Sequence, residues 1–156
     1  MRLLCVLQAL LVTSVASATG LDEFSSAQNK WRAVQATSYS FIFEWSGGVV
    51  IAPACADAKI LVRVRHGVSS VPRVIRGSRR CPAGTSGERA IGFSVPSTIE
   101  AAFSEMSRYI ETPPVRAKVT ARYDEATGAP LEYYVEKLEI YDNDEGFRIS
   151  GLRLQR

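Results

Sequence analysis

Residues 39–45 constrain the fold more than any other part of this chain of 156 residues. Aromatic residues alternate there with Ser40, Ile42 and Glu44, so a β-strand through this segment has one wholly aromatic face. Such a face is most often the core side of a sheet beneath helices, because the opposite face offers polar groups to water. The alternative is a stacking platform for a ligand. The four residues, named here the aromatic row, are Tyr39, Phe41, Phe43 and Trp45.

Two helices and five more strands are predicted around this strand. Apolar residues recur at spacings near 3.6 over residues 21–36 and 97–111, which indicates helices. Short alternating segments bounded by Gly, Pro and Asp predict the strands 59–65, 68–75, 118–123, 131–141 and 147–154. The order α-βββ-α-βββ predicts an α+β fold, in which one antiparallel sheet of five to seven strands carries both helices on one face.

Three local features refine this prediction. Ser97 and Glu100 have the spacing of a capping box at the start of the second helix. Pro72 inside the third strand indicates an edge position or a bulge. The second helix also carries an apolar stripe that we expect to pack on the aromatic row, formed by Ile99, Phe103, Met106 and Ile110.

The N-terminus is typical of a secretory signal peptide. Arg2 precedes the apolar run 3–12, and Ala16-Ser17-Ala18 is a cleavage pattern, which predicts a signal over residues 1–18. The single secreted domain is then 19–156. The apolar run is too short for a permanent transmembrane helix, and the alternative is a buried N-terminal helix. Cys5 lies inside the run, so we expect no lipid anchor after cleavage. The signal peptide predicts a secreted or periplasmic protein.

Signal cleavage would leave two cysteines, Cys55 and Cys81. An even pair in an exported chain predicts one disulfide. This bond would tie the long connection 77–95 to the loop 48–58. The alternative is a metal-binding or catalytic thiol, for which His66 is the only histidine that could assist.

Several short segments together resemble one known family in their order and spacing. They are Trp31, 39–41, Cys55, 62–64, 66–67, 97–100, Phe103, 123–124, 128–130 and 142–145. Over residues 27–150 they resemble the uncharacterised bacterial family catalogued as domain of unknown function number 6174, whose members are secreted or lipid-anchored. The chain differs at Ala129, where the family often has an aromatic residue, and it lacks the anchoring cysteine of many members. The resemblance implies location and fold but no activity.

The sequence carries no recognised catalytic, cofactor or metal motif. No nucleophile elbow, metalloprotease helix or phosphate-binding glycine loop is present, and we expect no cofactor and no catalytic residue. His66 is predicted to be an exposed turn residue. Residues 142–146 lack the spacing of an EF-hand loop; we favour a polar turn over a nonspecific oxygen site for calcium.

The net charge of +3 is mild, and we expect neither a concentrated basic stretch nor a nucleic-acid surface. Arg76, Arg79, Arg80 and Arg89 form a loose basic loop that is solvated or meets an anionic surface.

The favoured function is a non-catalytic binding protein with an unidentified protein or small-molecule partner in the envelope or medium. Alternation predicts that Tyr134 points outward, where it is a candidate binding residue. The simpler alternative is that its ring covers its neighbours in the sheet. The alternative function is a small carboxylate-dependent hydrolase, which would need paired, buried Asp or Glu in a cleft.

Overall fold

The computed structural model describes residues 15–47, 54–112, 117–137 and 144–155. The helices and strands over these residues are α1 (Val15–Val34), β1 (Tyr39–Ser46), β2 (Lys59–Arg65), β3 (Val68–Ser69), β4 (Arg73–Arg76), α2 (Glu88–Ile91), α3 (Ile99–Ile110), β5 (Ala117–Tyr123), β6 (Pro130–Lys137) and β7 (Glu145–Leu154).

The strands form one antiparallel sheet, which confirms the predicted α+β class. Their spatial order is β3-β2-β1-β7-β6-β5, and β4 pairs with β2 on the same side as β3. The first and last of the long strands, β1 and β7, therefore lie side by side at the centre of the sheet.

One face of the sheet is covered by α1 and α3. Trp31 of α1 meets Tyr39 of β1 edge-on, with ring centroids 5.3 Å apart. Phe24 of α1 meets Phe103 of α3 at 5.7 Å, so the two helices also contact each other. Burial of these aromatic side chains supplies a large apolar area, which is the main favourable term in folding. The opposite face, named here the open face, carries the polar residues of the alternating strands.

Two predicted elements differ from the structure. The strand expected over residues 68–75 is divided into β3 and β4, because Pro72 in the gap has no N–H to donate to the ladder. The connection 77–95 contains the short helix α2, which the prediction missed. Helix α1 begins at Val15, upstream of the predicted cleavage position. The predicted continuation of β6 beyond Lys137 lies outside the described residues.

The predicted capping box at Ser97 is wrong, because the helix begins one residue later. The N-cap of α3 is Thr98, whose hydroxyl accepts a hydrogen bond of 3.0 Å from the Ala101 amide. Glu100 is thereby free for another role. Its Oε1 accepts from Trp31 Nε1 at 2.6 Å and its Oε2 accepts from the Tyr39 hydroxyl at 3.0 Å. One carboxylate thus joins α1, β1 and α3.

The apolar stripe of α3 is buried as expected at Ile99, Phe103 and Met106, and half-buried at Ile110. Its partners differ in part from the prediction. The Phe103 ring lies between Phe24 and Tyr123 of β5, and at the start of the helix the Ile99 amide donates to the Tyr39 hydroxyl of the aromatic row. The stripe therefore packs largely on α1 and the C-terminal strands.

The predicted disulfide between Cys55 and Cys81 is confirmed, with the two Cα atoms 5.1 Å apart. Residues 84–85 after it fold back on β4, since the Val74 amide donates to the Thr85 carbonyl and the Gly84 amide donates to the Val74 carbonyl. The long connection is thus held at both of these points. Among the described residues, no helix is long and apolar enough to cross a membrane.

Candidate functional site

A cleft of about 340 Å³ opens beside the far end of the aromatic row. It lies between α3, the segment 93–97 and the facing ends of β1, β6 and β7. We name it the aromatic cleft, after the six rings that line it: Phe43, Trp45, Phe93, Tyr109, Tyr133 and Phe147.

Strand register explains why three of these rings stand in a row. Trp45 of β1 and Tyr133 of β6 are both directly opposite Phe147 of β7. Directly opposite residues project from the same face of a sheet, so the three rings form a lateral ladder. Phe93 covers its open end, with its ring centroid 5.9 Å from that of Trp45 and 6.2 Å from that of Phe43.

The Tyr133 hydroxyl is a buried polar group without a partner at the wall of the cleft. Tyr133 is only 2% exposed, and its hydroxyl has no hydrogen-bond partner among the described residues. Burial, with a further contribution from the nearby Glu145 carboxylate, raises the pKa of this hydroxyl well above its ordinary value. It therefore stays a neutral O–H, a group that can both donate and accept a hydrogen bond.

Three carboxylates line the cleft, and each already has a partner. Glu88 Oε1 accepts from the Val95 amide at 3.3 Å, which fixes the segment 93–97. Glu105 Oε1 is 3.4 Å from Arg108 Nη1. Glu145 Oε1 is 2.9 Å from Lys137 Nζ.

Glu145 is held in its ionised form. Partial burial alone would raise the pKa of this carboxyl, but the neighbouring Tyr109 hydroxyl and Lys137 ammonium outweigh it and lower the pKa below its ordinary value. The Glu145 carboxylate is in turn the largest cause of the raised pKa of the Tyr109 hydroxyl. A carboxylate with a lowered pKa is a poor general acid at neutral pH.

The aromatic row divides between the two predicted roles. Tyr39, Phe41 and Phe43 are buried in the core, as favoured from the sequence. Trp45 is half-buried and forms a wall of the aromatic cleft. The row is therefore a core face whose far end, Phe43 and Trp45, also lines the aromatic cleft.

Tyr134 lies on the open face, so its side chain projects from the opposite side of the sheet to that of its neighbour Tyr133. It is half-buried, and its hydroxyl donates a hydrogen bond of 2.7 Å to Asp144 Oδ2. Asp144 Oδ1 also accepts from the Lys137 amide at 3.0 Å. These contacts join the ends of β6 and β7, and they use the hydroxyl that a partner would contact.

The remaining candidates of the sequence do not assemble into a site. His66 is exposed at the β2–β3 turn, where it has a positive φ of 51°. The calcium alternative at residues 142–146 lies partly outside the described residues. Within the described part of the chain, no group of three or more His, Cys, Asp or Glu side chains is placed to hold a metal ion.

The expectation that no stretch of the chain concentrates the positive charge is wrong. Seven Lys or Arg residues and no Asp or Glu lie between Asp57 and Glu88. The mild net charge conceals this segment, because acidic residues elsewhere compensate for it.

The chain matches no family model, no curated protein and no solved structure. The resemblance to the uncharacterised bacterial family therefore stays a prediction, and the site is interpreted from its own geometry.

Proposed function

We propose that the protein is a secreted or periplasmic, non-catalytic binding protein whose aromatic cleft holds a small ligand. The observation that carries this proposal is the buried, unpartnered Tyr133 hydroxyl in a cleft of six aromatic rings. Ligand sites commonly combine apolar and aromatic walls with a few polar groups that orient the ligand.

The charges of the cleft favour a ligand with a positive group. Its lining includes Glu88, Glu105 and Glu145 but neither Lys nor Arg. Arg108 and Lys137 pair with Glu105 and Glu145 from outside the lining, whereas Glu88 accepts from two neutral donors, the Ser94 hydroxyl and the Val95 amide. Aromatic faces also attract cations, by about 0.5–2 kcal/mol depending on exposure. We therefore propose an organic cation with a flat apolar part, such as an aromatic amine.

The proposed location rests on the predicted signal peptide and on the resemblance to secreted proteins. The disulfide between Cys55 and Cys81 is compatible with an oxidising compartment, where such bonds persist.

The carboxylates of the cleft are the observation that favours a hydrolase as the second candidate. Against it, none of the described charged residues is buried, and each carboxylate of the cleft is already engaged by a neighbouring group. A hydrolase that uses two carboxylates needs one of them protonated as the acid. The lowered pKa of Glu145 opposes that role.

The two tryptophans make a sharp binding experiment possible. Trp45 lines the cleft, whereas Trp31 is buried in the core and donates its indole N–H to Glu100. Titration with phenethylammonium should shift the Trp45 indole resonance in a ¹H–¹⁵N NMR spectrum and leave that of Trp31 in place. The neutral probe 2-phenylethanol should bind roughly threefold to thirtyfold more weakly.

Two variants complete this test. Phe93→Ala removes one wall of the cleft and should weaken phenethylammonium binding, while Tyr134→Phe on the open face should leave it unchanged. Equal affinity for the charged and neutral probes would refute the cationic ligand. Turnover of p-nitrophenyl glycosides that is lost in Glu145→Gln would instead establish the hydrolase.

A further inference from the structure

The edge of the sheet opposite β5 is strongly basic. It comprises β2, β3, β4 and the turn that follows, over residues 59–87, and is named here the basic edge. Seven of the chain's 19 Lys and Arg residues fall in this segment, and Asp and Glu are absent from it. Six of the seven are exposed arginines: Arg63, Arg65, Arg73, Arg76, Arg79 and Arg80.

These arginines are not neutralised by the fold. Lys59 forms an ion pair of 3.2 Å with Glu44, but within the described residues no carboxylate oxygen lies within ion-pair distance of the six arginines. The far half of the open face differs. There Glu132 pairs with both Arg122 at 3.3 Å and Arg148 at 3.1 Å. The six arginines of the basic edge therefore carry positive charge that no described carboxylate neutralises.

Exposed aliphatic residues stand among the arginines. Val68 is 71% exposed, Val71 66% and Ile75 42%, and they are three of the five large hydrophobic residues exposed among those described. Val68 is directly opposite Arg65 in the sheet, so both project from the same face. Clustered exposed apolar residues in a charged surround typically mark an interaction surface.

Two arginines also border a hollow on this surface. Leu61 and Arg73 are register partners of β2 and β4, and Arg63 projects from the same face two residues along. These three residues line two hollows. The hollow of about 290 Å³ is bordered by Ile75, and the hollow of about 340 Å³ is bordered by Val71. A guanidinium group binds phosphate oxygens in a bidentate manner, so the hollows suit phosphate groups at a surface.

We propose that the basic edge docks on a bilayer surface rich in anionic phospholipids. The arginines contact lipid phosphates, and Val68, Val71 and Ile75 enter the boundary between headgroups and acyl chains. The basic edge and the aromatic cleft have no residue in common, so this proposal does not depend on the proposed ligand.

The composition of the basic edge favours lipid over nucleic acid. Proteins that bind single-stranded nucleic acids stack bases on aromatic side chains, and no Phe, Tyr or Trp occurs between Asp57 and Glu88. Exposed valines and an isoleucine gain little against a sugar-phosphate backbone. They gain by leaving water for the membrane interface.

Vesicle co-sedimentation tests the proposal. The full chain should bind vesicles of 60% phosphatidylcholine and 40% phosphatidylglycerol, and bind pure phosphatidylcholine at least tenfold more weakly. Binding should fall in 1 M salt, where electrostatic interactions are screened beyond about 3 Å. All variants keep the same N-terminus, so the apolar run 3–12 contributes equally to each.

Two matched charge variants locate the contact. Arg63→Gln with Arg73→Gln should weaken binding about twentyfold, since each arginine near an anionic surface contributes roughly fivefold. Arg122→Gln with Arg148→Gln removes the same charge from the far half of the open face and should change binding less than twofold. Melting temperatures verify that both variants are folded. If the Arg63→Gln, Arg73→Gln variant is unfolded, Arg65→Gln with Arg76→Gln replaces it.

The aliphatic residues provide the discriminating result. Val68→Ser with Val71→Ser leaves the charge unchanged and should weaken vesicle binding about tenfold. Equal losses in the two charge variants would overturn the proposal. Unchanged binding of the valine variant, or binding of a 20-nucleotide single-stranded DNA as tight as that of vesicles, would also overturn it and assign the edge to soluble polyanions.

Discussion

At the scale of single residues, Glu100 shows how one side chain is given a role that the sequence does not reveal. Its spacing from Ser97 predicts a capping contact, yet its oxygens accept from Trp31 and Tyr39 instead. Burial tends to raise the pKa of Glu100, but these hydrogen bonds and those from its own backbone and Thr98 lower it overall. Burial also raises the pKa of Tyr39 to about 12.

The lowered pKa of Glu100 makes stability depend on pH. A carboxyl whose pKa is lower in the folded state stabilises the protein above its unfolded pKa, and this contribution is lost as the pH falls through the folded value. Glu100→Gln should therefore lower the free energy of unfolding by about 1–2 kcal/mol at pH 7. The difference between the two proteins should shrink towards pH 3 in urea titrations.

Glu136→Gln is the control for this prediction, because Glu136 is exposed on β6 and has no such hydrogen bonds among those described. It should change stability by less than about 0.5 kcal/mol. A loss in Glu100→Gln that stays the same at pH 3 and pH 7 would show that the carboxylate charge is not responsible.

At the scale of helices and strands, periodicity predicts the elements well and their partners poorly. The stripe of α3 is apparent from its spacing, but the position of Phe103 between Phe24 and Tyr123 depends on which strand lies beneath the helix. The division of the third strand follows from Pro72. The four-residue helix α2 has no comparable signal, since so short a segment shows no full period.

Phe103 tests the packing of α3. The side chain is 3% exposed, so Phe103→Ala should leave a cavity and lower the free energy of unfolding by about 3–5 kcal/mol. Ser104→Ala, an exposed neighbour on the same helix, should change it by less than about 0.5 kcal/mol. Urea titration measures both, and equal effects would mean that α3 does not pack through this stripe.

At the scale of the whole molecule, the fold class was predictable but the aromatic cleft was not. Alternation identifies Trp45 and Tyr133 as strand residues of one face. It does not show that β1, β7 and β6 are neighbours, and that adjacency is what aligns their rings with Phe147. Phe93 lies outside the strands and helices, where no periodic signal assigns its position. The disulfide was predictable because only two cysteines follow the proposed signal.

The disulfide should contribute to the stability of the whole domain. Its cysteines are separated by 26 residues, for which the loop-entropy relation gives roughly 3.5 kcal/mol. Cys55→Ala with Cys81→Ala should lower the urea midpoint, and dithiothreitol should lower that of the wild type to a similar value. A wild-type midpoint insensitive to dithiothreitol would contradict this contribution.

The pairing of β1 with β7 also decides when the molecule can fold. Tyr39 is paired with Leu154, so the central ladder closes only after β7 has been synthesised. Contacts between such distant segments make folding slow. Until β7 has been synthesised, one edge of β1 lacks its partner strand. An unpaired central strand can add to a strand of another copy, so the incomplete chain is the species most exposed to aggregation.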